Sequence, residues 1–312
     1  MINGDIIISF LNYYELGEAK FEPINSGLSS LALLVDQNNK KYVLKIYNKD
    51  SNINTEVQFG YYLRNNNIPV AKIIKNSNGQ LITEIENLRG VLFEFRFGNP
   101  IMRDNLSTSF SENLAEVVAK MHLLMLDNKK IPAKDYCKCN IDPTDGLSNT
   151  KIIEKSKEIR YLVKDLIFSD LRRGLIHADL TRQNVLVTEG KNNIDSIIDF
   201  GDAHYDYFAW DLAVLITHIY ITKTYGIDWP ALGNFIKRYK FLFPLTEKEI
   251  NAIIPFIKIR NINLAIEVSR SVLDGKDNID ELLSIENSVM TKLDLIEQNQ
   301  DRLKDLLEEK TL

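Results

Sequence analysis

The sequence predicts an α+β fold in two lobes: a small antiparallel-sheet lobe over residues 1–96 and a mainly helical lobe over 97–312. Three observations carry this. Up to Arg96 the chain is dominated by short segments rich in β-branched, aromatic and aliphatic residues. After Gly98-Asn99-Pro100 the apolar period becomes helical and stays so. The exception is a strand pair at 185–187 and 194–198, turned by Glu189-Gly190-Lys191-Asn192-Asn193 inside the helical half.

Ile6, Ile7, Phe10, Leu11 and Tyr14 recur at helical spacing behind Asp5, which reads as the N-cap of a short amphipathic helix. Residues 19–26, 31–36 and 41–47 follow as an antiparallel meander, separated by Ser26-Gly27-Leu28-Ser29-Ser30 and by the turn signal Asp36-Gln37-Asn38-Asn39-Lys40. A helix near 53–64 interrupts the strands. Further strands near 70–75, 80–85 and 90–96 complete the lobe, with Asn76-Ser77-Asn78-Gly79 as a hairpin turn. Beyond it, Leu114, Val117, Val118, Met121, His122 and Met125 mark one face of a helix.

A chain of 312 residues, 45% hydrophobic and 26% charged, has ordinary globular composition and can bury a sizeable core. With 38 Lys+Arg against 43 Asp+Glu the formal charge is −5, which gives no electrostatic reason to expect a nucleic-acid partner. Cys137 and Cys139 are too few for a disulfide framework and lack the companions of a zinc site, so they read as free thiols. Asp5 precedes the first apolar stretch, no basic leader stands before it, and no apolar run approaches membrane-spanning length. The expectation is a cytoplasmic protein without a membrane partner.

The chemistry concentrates around the embedded hairpin. Its pairing brings Asn184 and Asp199, just outside its open end, side by side, where an amide oxygen and a carboxylate can share a metal ion. So sparse a ligand set suits Mg²⁺, whose shell is completed by waters and phosphates. Asp179, on the loop entering the hairpin, can sit beside that metal and accept a proton from an attacking hydroxyl. In Lys41-Tyr42-Val43-Leu44-Lys45-Ile46-Tyr47, strand alternation places Val43, Lys45 and Tyr47 on one face. In the next helix Ile53, Glu56, Phe59, Gly60 and Leu63 share a stripe, and a carboxylate on an apolar stripe needs a cation, for which Lys45 is the candidate.

These residues resemble the kinase-like phosphotransferases. His177-Ala178-Asp179 through Asn184 matches the H-x-D-x-x-x-x-N catalytic loop, and Asp199-Phe200-Gly201 the D-F-G metal loop. Together with Ile197–Ala203 and Trp210-Asp211-Leu212-Ala213, the segment is similar to the aminoglycoside phosphotransferase and choline kinase-like family, with features of hydroxylysine and homoserine kinases. The resemblance implies a bilobal protein-kinase-like fold and transfer of the γ-phosphate of ATP, with Mg²⁺, to a hydroxyl of a small molecule. It implies Asp179 as catalytic base, Asn184 and Asp199 as metal ligands, Lys45 aimed at the α/β-phosphates by Glu56, and Val43 as roof of the adenine. It places a phosphate-covering loop at Ser26, Gly27, Ser29 and Ser30, and an adenine-binding connector at Glu94, Phe95 and Arg96. His177 and Asp211 would brace the loop, while Asp202 would serve the metal, the substrate or a loop cap. His122, on an apolar face, reads as a hydrogen-bonded core residue.

Two rival classes make different demands on these residues. A catalytically silent nucleotide-binding module commonly lacks one of Lys45, Asp179, Asn184 or Asp199, and all are present; a protein kinase needs a peptide-docking segment, and no A-P-E follows Gly201. For the acceptor, Asp179 and Asp199 favour an ammonium group. Acidic residues from Asp274 to Glu286 read as a solvated face or a cation-binding cleft, and Arg260 and Arg270, about three turns apart, could meet a carboxylate. The expectation is an amino-acid-like or amino-alcohol acceptor, with aminoglycosides as the alternative.

Overall fold

The strand-forming segments of the N-terminal half assemble into one six-stranded antiparallel sheet. The computed structural model describes residues 2–24, 30–48, 52–102, 106–135, 137–138, 144, 146–164, 170–190, 193–222, 224 and 226–309. The first half runs α1 (Gly4–Asn12), β1 (Lys20–Pro23), β2 (Ser30–Gln37), β3 (Lys40–Asn48), α2 (Ile53–Asn65), β4 (Ile73–Ile74), β5 (Thr83–Ile85) and β6 (Leu88–Glu94). The strand order is β1-β2-β3-β6-β4, with β5 also on β6. Lys45 thus lies mid-sheet, opposite Ala32 and Val91. Alternation then sorts β3: Leu44 and Ile46 join Ile7, Phe10 and Leu11 of α1 in one core, while Tyr47 packs with Ile53 and Val57 of α2 on the other face.

Two local expectations change. The N-cap of α1 is Asn3, whose side chain accepts from the Ile6 N–H at 3.0 Å. Asp5 falls instead in the first turn, where its charge meets the positive end of the helix. Asn76 does build a turn, its Oδ1 accepting from the N–H groups of Asn78 and Gln80. It is no hairpin, because β4 and β5 each pair with β6 and not with each other. The tight hairpin is Glu86-Asn87, with Glu86 at φ 52°.

The second half contains β7 (Asn99–Pro100), α3 (Thr108–Met125), α4 (Thr150–Val163), β8 (Arg173–Ile176), β9 (Val185–Val187), β10 (Ile194–Ile197), β11 (His204–Tyr207), α5 (Phe208–Leu215) and a π-helical turn (Ile216–Tyr220). It continues through β12 (Ile221–Thr222), β13 (Gly226–Ile227), α6 (Trp229–Leu242), α7 (Glu247–Leu273), α8 (Ile279–Gln298) and α9 (Gln300–Glu308). α5 is buried along its whole length and, with α3, α6 and α7, forms the main core. β8 pairs with β11, and β7 and β10 flank β9, so the loop between β8 and β9 is fixed at both ends.

The halves are tied at several points. Ile197 donates its N–H to the Pro69 carbonyl at 2.7 Å, and Arg96 forks onto Asp195 of β10 through Nε and Nη2 at 3.1 and 2.9 Å. Gly98 permits that approach, since a β-carbon there would sit 2.7 Å from the Asp195 Cβ. Asn52 and Thr55 of the α2 start donate across to the carbonyls of Ala203 and Pro132.

Further residues correct the reading from sequence. Cys137 is disulfide-bonded, not a free thiol, and Cys139 lies outside the described residues. Glu286 is neither solvated nor part of a cleft: it is 2% exposed and accepts from Ser148 Oγ and the Ser148 and Asn149 N–H groups, tethering the start of α4. Among the described residues no helix is long and apolar enough to cross a membrane.

Candidate active site

Lys45, Glu56 and Asp199 form one charged knot between the halves. Lys45 Nζ donates to Glu56 Oε1 at 3.2 Å and to Asp199 Oδ1 at 2.9 Å. Glu56 is 3% exposed, and its second oxygen accepts from the Tyr47 hydroxyl at 2.7 Å. Burial alone would push Lys45 down, but Glu56 and Asp199 more than offset it and hold the ammonium above its usual range. Burial and Glu56 together push Tyr47 well up, so its hydroxyl stays a donor. The pairing of Lys45 with Glu56 was legible from face and stripe. Tyr47 as the second donor to Glu56 was missed, although the same alternation puts it on the Lys45 face.

Asp199 adopts φ 66° at the mouth of the β9–β10 hairpin. Burial raises its carboxyl, yet Lys45, His177 and the Gly201 N–H outweigh that and keep it below the ordinary carboxylate range. Phe200 turns inward, its ring 5.2 Å from Phe59 of α2 and 4.7 Å from His177. One residue thereby fastens the 199–201 segment to both halves.

The 177–184 loop is braced from beneath. Asp211, in α5, is fully buried and accepts the backbone N–H groups of His177 and Ala178 at 3.1 and 2.8 Å and His122 Nε2 at 3.1 Å. His122 Nδ1 in turn meets the Tyr239 hydroxyl at 2.8 Å, a satisfied core histidine. His177 Nε2 donates to the Ile198 carbonyl at 3.0 Å, which leaves Nδ1 to accept the Asp179 N–H at 3.2 Å.

Asp179 therefore arrives with its backbone held. Asn184 Nδ2 donates to its carbonyl and to its Oδ2 at 2.9 and 2.8 Å, so the two amide hydrogens of Asn184 are committed and its oxygen remains the acceptor atom. Arg260 of α7 stands 3.6 Å from Asp179 Oδ1. Burial raises the Asp179 carboxyl, Asp202 and Asp199 add to this, and Arg260 and His177 only partly offset it, so it sits above the ordinary range. Asp202 is exposed and faces Lys138 at 3.6 Å, and Arg270 is also exposed. Asn184 and Asp199 stand at the open end of the β9–β10 hairpin, where the Ile198 N–H donates to the Asn184 carbonyl at 3.0 Å, and among the described residues no group of three or more His, Cys, Asp or Glu could hold a metal.

The other expected positions divide. Val43 and Ser30 lie on paired strands, opposite Leu34 and Tyr47 respectively, and Ser26, Gly27 and Ser29 lie outside the described residues. On the connector, Glu94 and Phe95 donate their N–H groups to the carbonyls of Lys72 and Lys41. Among the described residues the Arg96 N–H makes no such bond, and the Arg96 side chain serves the hairpin.

Comparisons with known proteins agree with this frame. A homoserine kinase of Zymomonas mobilis is 28% identical over 275 residues, covering 82% of this chain and 83% of its own. A hydroxylysine kinase of Xenopus laevis is 21% identical over 257 residues, covering 70% and 68%. A solved microcompartment-associated aminopropanol kinase superposes with a TM-score of 0.75 at 15% identity, over 97% of this chain and 99% of that one, which shows a shared fold. The profile of the phosphotransferase enzyme family matches residues 20–232, a span that takes in the sheet, the braced loop and the hairpin alike. The chain belongs to that family, as a small-molecule kinase that moves phosphate to a hydroxyl group.

Proposed function

We propose an ATP- and Mg²⁺-dependent O-phosphotransferase whose lobes divide near Arg96, acting in the cytoplasm on an amino-acid-like or amino-alcohol acceptor. The observation that carries it is the meeting of Lys45, from the sheet half, with Asp199, from the helical half, at 2.9 Å beside the loop that holds Asp179. Phosphoryl transfer asks a protein mainly for alignment and charge neutralisation. Lys45, aimed by Glu56, would hold the α/β-phosphates, and the adenine would lie under Val43 against the connector, taking the Arg96 N–H and the Glu94 carbonyl. Ser30, with Ser26, Gly27 and Ser29, would cover the phosphates. Asn184 and Asp199 would hold Mg²⁺, which supplies charge neutralisation when bound; an amide oxygen and a carboxylate kept ionised fit such an ion. Asp179 would orient the acceptor hydroxyl and take its proton. Relatives named for homoserine and hydroxylysine, both amine-bearing alcohols, support the acceptor class over aminoglycosides.

Incubation with labelled ATP and a panel of hydroxylated amino acids, amino alcohols, aminoglycosides and a protein substrate tests the reading. Phosphate should appear on the small amines or amino acids at the lowest KM. Asp199→Ala should abolish the Mg²⁺-dependent tightening of nucleotide binding seen by calorimetry while the protein stays folded; an unchanged metal dependence would remove the pair as the metal site.

A further inference from the structure

Lys138 and Asp202 carry loosely paired side chains on firmly held backbones. Lys138 donates its backbone N–H to Asp206 Oδ2 at 2.8 Å, and its carbonyl accepts from Asn263 Nδ2 of α7 at 3.1 Å. The Asp202 carbonyl accepts from His204 Nδ1 at 2.7 Å, while His204 Nε2 faces the same Asp206 oxygen at 3.3 Å. His204, Asp206 and Asn263 are all buried, so one platform inside the helical half fixes both backbones. The side chains stay accessible: Lys138 Nζ lies 3.6 Å from Asp202 Oδ1, with 27% and 59% exposure.

The pair borders Asp179. Asn263, which holds Lys138, lies one helical turn beyond Arg260 on α7, and Arg260 stands 3.6 Å from Asp179 Oδ1. Asp202 directly follows the Asp199-Phe200-Gly201 segment. Burial comes first in raising the Asp179 carboxyl, and of the two carboxylates that add to it Asp202 acts more strongly than Asp199. The other carboxylates here are engaged: Asp199 accepts from Lys45 at 2.9 Å and Asp179 from Asn184 Nδ2 at 2.8 Å. Among the described residues the charged groups of Asp202 and Lys138 have only each other, beyond hydrogen-bond distance. An ion pair so exposed contributes little and opens readily.

Resting on the kinase reading above, we infer that Asp202 and Lys138 form a clamp for a zwitterionic acceptor, the Asp202 carboxylate taking its α-ammonium and the Lys138 ammonium its α-carboxylate. The acceptor is then a hydroxy amino acid that presents its hydroxyl to Asp179. Such a molecule replaces one loose ion pair by two and brings no net charge beside Asp179 and Asp199. An amino alcohol sets its ammonium against Lys138 with nothing to offset it, and a hydroxy acid does the same with its carboxylate against Asp202. A polycationic aminoglycoside meets the same repulsion from Lys138, and a neutral sugar engages neither group.

The anchoring bonds are made by backbone atoms, so both side chains can be changed without cutting them. With ATP and Mg²⁺, each hydroxy amino acid is compared with its decarboxylated and its deaminated counterpart: L-homoserine with 3-amino-1-propanol and 4-hydroxybutanoate, L-serine with ethanolamine and 3-hydroxypropanoate, 5-hydroxy-L-lysine with 1,5-diaminopentan-2-ol and 6-amino-5-hydroxyhexanoate. In the best trio the amino acid should have the highest kcat/KM. Lys138→Met should lower the kcat/KM ratio of amino acid to amine by about 10- to 100-fold, mainly through KM, and Lys138→Arg should retain more of it. Asp202→Asn should lower the ratio of amino acid to hydroxy acid by a similar factor, with the Mg²⁺ dependence of nucleotide binding as in the wild type. A changed metal dependence would assign Asp202 to the metal and overturn the clamp. Amines or hydroxy acids that turn over as well as the amino acid, a sugar or aminoglycoside that turns over better, or variants that lower a whole trio alike also overturn it while leaving the kinase reading intact. Tight ATP binding with no phosphorylation of any of these acceptors overturns the kinase reading, and the clamp with it.

Discussion

The 177–184 loop lies between two aspartates that the protein treats in opposite ways. Asp211, beneath it, is wholly buried yet held below the ordinary carboxylate range: burial raises it, but His122 and the backbone donors it accepts, the Ala178 N–H among them, outweigh that cost. Asp179, on top, keeps 29% of its side chain exposed and sits above that range: burial raises it, Asp202 and Asp199 add to this, and Arg260 and His177 offset it only in part. Burial therefore does not sort the two. The groups around each carboxylate do: His122 and backbone N–H groups close on Asp211, whereas Asp179 faces two carboxylates as well as Arg260.

The largest effect should come from the exposed member. Asp179→Asn is expected to lower kcat by about 10²- to 10⁴-fold with nucleotide affinity near wild type and little change in urea midpoint; full turnover would remove Asp179 from the reaction and collapse the contrast. Asp211→Asn should do the reverse, costing on the order of 3–5 kcal/mol of stability because buried donors lose their anionic acceptor. Its pH dependence follows from the lowered folded value. The contribution is present in full above the unfolded aspartate pKa of about 3.9 and is lost as pH falls through the folded one, so the variant should flatten the acid limb of the stability curve. Urea titrations at several pH values check both.

The knot at Lys45 extends the same rule to a shared cation. Lys45→Met and Glu56→Gln should each impair catalysis, and the double variant should add little further loss; additive effects in the cycle would argue that the two act separately. The smallest expected change is Tyr47→Phe, about 1 kcal/mol of stability for one donor removed from Glu56, read as a shift in thermal midpoint.

Much of this arrangement is legible in the sequence where function is encoded by spacing along one hairpin or one face. Asn184 and Asp199 follow from a strand pair, Lys45 from alternation, Glu56 from a polar residue on an apolar stripe. What escapes is whatever depends on distant segments meeting. Nothing near Arg96 announces Asp195, and nothing near Asp179 announces its meeting with Arg260, because those encounters are set by how α7 and the hairpin pack. The loop expected at 26–30 lies mostly outside the described residues. Boundaries slipped for a simpler reason: Asn3 and Asp5 are both competent caps, and only the side chain that reaches Ile6 decides.

Ala178 holds a left-handed backbone, φ 67°, in a loop, and its N–H ends on a carboxylate at the centre of the helical core. A loop amide ordinarily trades its proton with solvent through small local fluctuations. The amides of His177 and Ala178 have no such route, since releasing them means opening the packing around α5. In deuterium exchange they should behave as core amides, slowing and quickening with global stability, while Gly190 at the exposed hairpin tip exchanges at once.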